Sequence, residues 1–138
     1  MSNLSQQFVF TVGSATTSVS IPSTAVSPES NPLLFLSDKL KGDGYYGGGD
    51  GLHTASYTVA PNFAGTLTMQ ASLSTMPASN DWFDIENTGV VYDRINNVVV
   101  TTTTNYVNFT GNFVWVRTKV HRSSTLPAGG VLFVNYNH

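Results

Sequence analysis

Phe109-Thr-Gly-Asn-Phe-Val-Trp-Val-Arg-Thr-Lys-Val120 is the stretch on which the fold turns. It is aromatic and β-branched, opens on Gly111-Asn112, and is followed after one turn by Gly130-Val-Leu-Phe-Val-Asn-Tyr136. Side chains alternate across a strand, so Val114, Val116 and Val120 share one face while Phe113, Trp115, Arg117 and Lys119 share the other. A strand apolar on both sides at its start and half-polar later belongs in the middle of a packed β domain. The final strand is expected to pair beside it, and Trp115, flanked by valines in mid-strand, is expected in the core.

Outward from this stretch the chain reads as β throughout. Phe8, Phe10 and Val12 alternate with smaller or polar neighbours, Gly13-Ser14 punctuates, and Thr17 to Ile21 alternates again, which predicts a hairpin. Pro22 to Pro32 is rich in Ser and Pro and reads as an arm laid over a surface. Leu33-Leu-Phe-Leu36 suits a short buried strand. Asp38 to Asp50 is dense in glycine and reads as irregular. Gly65 to Leu73 has period two, with Leu67, Met69, Ala71 and Leu73 inward and Thr66, Thr68, Gln70 and Ser72 outward. Pro77 to Asp81 turns, Trp82 to Ile85 returns, and Val98 to Thr104 is strongly β-prone. Short strands at this spacing predict one all-β domain over 1–138, an antiparallel β-sandwich of jelly-roll type. Residues 1–32 supply the hairpin and arm, and 33–138 the sandwich body. The expected core includes Phe8, Phe10, Leu67, Met69, Val114, Trp115, Val116 and Phe133.

Composition narrows the function. The chain has 138 residues, enough for a core without covalent staples, and no cysteine, so disulfides and thiolate metal sites are excluded. Charged residues make up 10% and the net charge is −2, against roughly 25% charged residues in ordinary domains. Such a chain lacks the clustered Lys and Arg that nucleic-acid binding requires. A surface so poor in charge costs little to desolvate, which favours protein partners or self-association. No run approaches the roughly 20 apolar residues of a membrane span. The opening residues lack the basic and apolar regions of a secretory leader, so a cytosolic product that leaves only by lysis or within a particle is expected, and the sequon Asn108-Phe-Thr110 carries no meaning.

Asp43 and Asp50, with Asp38 nearby, sit in the glycine loop and could turn oxygens toward calcium, but the spacing is not that of an EF-hand, and a contact loop is preferred. Tyr45 and Tyr46 in that loop suit a partner contact, or stacking on a sugar. Asp81, Asp84, Glu86 and Asp93 cluster, and Asp84 and Glu86 would share a strand face, yet no neighbour suggests a raised pKa for glycoside hydrolysis. His53, His121 and His138 lie far apart without ligand spacing. No P-loop, dinucleotide fingerprint or Gly-x-Ser-x-Gly elbow occurs. Trp82, beside a turn, is the open indole.

Gly65-Thr-Leu-Thr-Met-Gln-Ala-Ser-Leu-Ser-Thr-Met-Pro77, Asn80-Asp-Trp-Phe-Asp-Ile85 and Asn108-Phe-Thr-Gly-Asn-Phe-Val-Trp-Val-Arg-Thr-Lys-Val120 together resemble a module of tailed-bacteriophage virion proteins. The resemblance covers about the C-terminal half. It implies a β-sandwich used in head decoration, neck, baseplate or fibre, with no catalytic residues and no cofactor. The expectation is therefore a non-enzymatic virion structural protein, foremost a head decoration or cement subunit, bound to capsid or tail subunits and self-associating, with a trimer considered. Tyr45, Tyr46, Trp82, Pro28 and Pro32 are the expected partner contacts. The alternative is a carbohydrate-binding module for host attachment, with Tyr45, Tyr46 and Trp82 as its platform.

Overall fold

The computed structural model describes residues 5–13, 16–93, 95–123 and 129–138. Twelve strands are described: β1 (Ser5–Gln7), β2 (Phe10–Val12), β3 (Thr16–Ser18), β4 (Leu34–Leu36), β5 (Leu40–Lys41), β6 (Leu52–Val59), β7 (Gly65–Ser72), β8 (Phe83–Asp84), β9 (Val90–Tyr92), β10 (Thr103–Thr110), β11 (Trp115–Arg122) and β12 (Val131–Asn137). They form an antiparallel β-sandwich. One sheet runs β1-β12-β6-β10; the other runs β4-β11-β7-β8, with β5 also on β11 and β9 also on β7. Strands β2 and β3 make the expected hairpin. Among the described residues no helix is long and apolar enough to cross a membrane.

The core lies between the sheets. Leu67, Met69 and Ala71 of β7 meet Val116 and Val120 of β11 on one side, and Ala55, Tyr57, Val134 and Tyr136 on the other, with Phe8, Phe10, Ile21 and Phe35 beneath the N-terminal segments. Burying side chains of this size stabilises by roughly 1.5–3 kcal/mol each. Two core hydroxyls are paired: Tyr57 Oη donates to Thr88 O at 2.9 Å, and Thr88 Oγ1 donates to Ile85 O at 2.6 Å. Gly65, with φ of +156°, begins β7 where an added Cβ would lie 2.6 Å from His121 O, so close β7–β11 pairing requires glycine there.

Several sequence expectations need correction. The closing strands are not neighbours: β11 pairs β7, β4 and β5, whereas β12 pairs β6 and β1 in the opposite sheet. A connection that arches between sheets carries the same turn residues as a hairpin, so the sequence does not distinguish them. Trp115 and Val114 are only half-buried. Trp115 lies on the outer face, its Nε1 donating to Thr75 O at 3.0 Å. Phe133 is half-buried because a register shift between Val131 and Phe133 reverses the alternation, sending Val134 and Tyr136 inward instead. Leu73 falls just past β7 and is 65% exposed. Thr68, Gln70 and Ser72, expected outward, are buried under covering side chains and loops. The strand predicted over Val98 to Thr104 is displaced to Thr103–Thr110, and Val98 and Val100 are exposed.

The Pro-rich arm packs on its own domain. Ile21 and Val131 exchange backbone hydrogen bonds at 2.8 and 2.9 Å, Gly13 N donates to Val26 O, and Ser27 Oγ donates to Leu34 O. Pro28 and Pro32 remain exposed.

Candidate functional site

The glycine loop closes one end of the sandwich, and it is more ordered than its composition suggests. After β5 the chain makes a 3-10 turn over Asp43–Tyr46, tied to the segment before β11 by Gly42 N to Val114 O (2.9 Å) and Gly44 N to Phe113 O (2.8 Å). Asp43 is buried. Its carboxylate accepts from Gly51 N at 2.8 Å and from His138 Nδ1 at 2.7 Å. Asp50 is turned to backbone as well, accepting from Leu52 N at 2.9 Å. Among the described residues no three His, Cys, Asp or Glu side chains gather as a metal site.

Behind the loop stands a cluster of rings invisible to sequence spacing. His53 stacks on Phe109 at 4.9 Å and on Tyr136 at 5.8 Å, and lies 6.1 Å from His138. Its Nε2 faces Gly111 O at 2.6 Å and its Nδ1 faces Tyr136 Oη at 2.7 Å. A carbonyl only accepts, so Nε2 carries the proton and Nδ1 accepts from the tyrosine. Gly111 has φ of +150° and the Phe113 ring lies where its Cβ would be, 2.4 Å from Cζ; a side chain would displace this ring.

Burial pushes His53 below its ordinary 6.5, outweighing the bond to Gly111 and the nearby Asp43 carboxylate. Burial alone would raise Asp43, but the bonds from His138 and Gly51 hold it below its ordinary 3.8. Both folded values are depressed, so both groups make the unfolded chain the better proton acceptor. Stability is therefore full above pH 6.5, falls as the unfolded His53 protonates below it, and falls again below about pH 4 as Asp43 is lost. Urea midpoints from pH 8 to 3 should show both declines, with His53→Gln removing the first. A flat profile between pH 7 and 5 would contradict this assignment.

The loop presents Tyr45 and Tyr46, 45% and 49% exposed, on this fixed base. Tyr45 meets Tyr46 edge-on at 5.5 Å and Trp115 at 5.1 Å, while Tyr46 stacks on His138 at 5.9 Å. Lys39 Nζ lies 4.9 Å over Trp115, and Lys41 Nζ 4.5 Å over Tyr45. Trp82 is half-buried and separate from this stack, its ring covered by the Arg117 guanidinium at 4.1 Å. Among the described residues no ring contact joins Trp82 to either tyrosine.

A second feature could not be read from sequence. A cleft of about 790 Å³ opens between the sheets, lined by Phe83, Phe109 and Phe113, with Asp84, Glu86, Asn87 and Asn108 adding polar groups. Asp84 binds Lys119 Nζ at 2.9 Å and accepts from Gln70 Nε2 at 2.9 Å. Burial raises its pKa, but these partners hold it below the ordinary carboxylate value, the reverse of what a general acid needs. Asp81 and Asp93 accept from backbone N–H groups in turns.

The fold is similar to the K2 cleaved adhesin domain of Lys-gingipain, with a TM-score of 0.50 and 11% identity over 97% of this chain and 88% of that one. The K3 cleaved adhesin domain of Lys-gingipain from Porphyromonas gingivalis W83 gives 0.49 at 14% identity, over 86% of this chain and 73% of that one. The K1 domain from the same organism gives 0.48 at 9%, over 99% and 95%. At these identities the likeness is one of fold. No protein-family profile and no curated protein matches the chain.

Proposed function

We propose that the chain is a non-enzymatic binding module of a tailed-bacteriophage particle, foremost a head decoration subunit, with neck, baseplate and fibre as the other positions. The observation that carries this reading is spatial. The three phage-like segments, the last remote in sequence from the first two, build one continuous wall: β7, β8 and β11 lie side by side, and the end of β10 joins them at the cleft. Beside that wall stand Tyr45 and Tyr46, rigid aromatic plates held by a buried carboxylate, which suits repeated weak contacts to neighbouring subunits. The K2 domain that shares the fold is an adhesin by name, in keeping with a binding role for this architecture.

Gradient-purified particles from the producing culture should contain the chain in stoichiometric amount by mass spectrometry. Tyr45→Ala with Tyr46→Ala should cut incorporation about tenfold, since both rings are exposed and the fold does not rest on them. Particles devoid of the chain would refute the proposal.

The cleft favours a second reading, carbohydrate attachment. Phe83 and Phe113 offer apolar faces beside amide and carboxylate groups, the mix that orients a sugar. On this reading Phe83→Ala abolishes saturable binding in a tryptophan-fluorescence titration with glycan-array hits, and Trp82→Ala leaves it in place.

A further inference from the structure

The two outer faces of the sandwich differ in kind. Four of the six Lys and Arg residues, Lys39, Lys41, Arg117 and Lys119, belong to the β4/β5–β11–β7–β8 side. The strands of the other sheet, β1, β12, β6 and β10, contain no Asp, Glu, Lys or Arg, and the outward residues of β6 and β10 include Leu52, Thr54, Ser56, Thr104, Tyr106, Asn108 and Thr110. At the edge of that neutral sheet runs β10, eight residues long, with no proline, charge or register shift to blunt it. Natural sheets rarely leave such an edge bare.

The ladder shows which groups the edge displays. Gly111 stands opposite Gly51 in the β10–β6 register, and Gly111 N donates to Gly51 O at 2.9 Å. Odd-numbered residues of β10 therefore bond to β6, and by alternation Thr104, Tyr106, Asn108 and Thr110 aim N–H and C=O away from it. The same four carry the exposed side chains. Among the described residues no backbone hydrogen bond from another strand reaches them.

We infer that β10 pairs antiparallel with β10 of a second copy, about a two-fold axis through Tyr106. A two-fold normal to the sheet sets like faces opposite one another, so even-numbered residues meet even-numbered ones. Tyr106 then faces its own mate and Thr104 faces Asn108, so the outward N–H groups of these three residues meet outward carbonyls. The axes at Tyr106 and at Val107 give equal overlap of β10, and the first gives Tyr106, 70% exposed in the single chain, an aromatic partner. A second copy fits better than a charged partner, because the strands of this sheet carry no charge to attract a counter-charge or to repel an identical copy. The arrangement is isologous and closes at two, unlike the trimer considered from sequence. It stands whether or not the chain belongs to a particle.

Sedimentation equilibrium of the purified chain should give twice 14.8 kDa. Hydrogen exchange at Thr104, Tyr106 and Asn108 should slow as protein concentration rises, while Asn105 and Val107 stay protected throughout. Tyr106→Lys, which sets two ammonium groups across the axis, should weaken pairing at least about tenfold with the melting temperature of the dilute chain unchanged. Thr104→Pro removes an outward N–H while sparing the β6 ladder and should act likewise. Met76→Lys, in an exposed loop, should leave pairing intact. A chain that sediments as a monomer at several hundred micromolar would overturn the inference. So would a dimer, or a larger oligomer, that survives Tyr106→Lys.

Discussion

Asp43→Ala should lower the unfolding free energy by about 3 kcal/mol, the cost of leaving two buried hydrogen-bond donors without their acceptor. The carboxylate is the common acceptor for Gly51 N and His138 Nδ1. Without it a buried N–H and a buried imidazole both lose their partner, and the loop that carries Tyr45 and Tyr46 loses its anchor. Asp43→Asn keeps an acceptor for Gly51 and should cost about half as much. The urea midpoint should drop with little change in m-value, because the exposed surface on unfolding is nearly the same. A loss under about 1 kcal/mol for the alanine variant would mean that the loop is held by its backbone bonds alone.

Arg122→Ala should cost about 3 kcal/mol and free the arm. Its guanidinium is buried 4.6 Å over the Phe35 ring, with Nη2 donating to Ala25 O at 3.0 Å and Nη1 reaching Ser23 O at 3.4 Å. Truncation leaves a void beneath Phe35 and strands two carbonyls. Arg122→Met fills the void without restoring the donors, so it should recover part of the stability and little of the arm's order. Limited proteolysis reads the difference: cleavage between residues 22 and 32 should be rapid in both variants and slow in the parent. If the parent is cut as fast, the arm is held elsewhere or not at all.

These sites show how far reading from residues extends. The β7 alternation was legible because Leu67, Met69 and Ala71 answer to a period-two rule that needs no partner. The hairpin at Phe10–Ser18 was legible for the same reason. Trp115 was misplaced because periodicity assigns a residue to one face or the other without saying which face is covered. Phe133 was misplaced by a one-residue shift that depends on how β12 settles against β6. The strand predicted at Val98–Thr104 slid to Thr103–Thr110 because pairing with β6 outweighed local β preference.

Nothing in the sequence spacing of His53, Asp43 and His138 joins them. They meet only because β6, the glycine loop and β12 converge at one end of the sandwich. Alternation, turn residues and the near absence of charge are local properties of the chain, and they determined that this protein is an antiparallel β-sandwich with a neutral surface. Which strands adjoin, which face is covered, and which acid meets which imidazole depend on contacts between residues dozens of positions apart. Those were decided by the packing of the two sheets, because burial and hydrogen-bond satisfaction are settled only once both sides of the core are present.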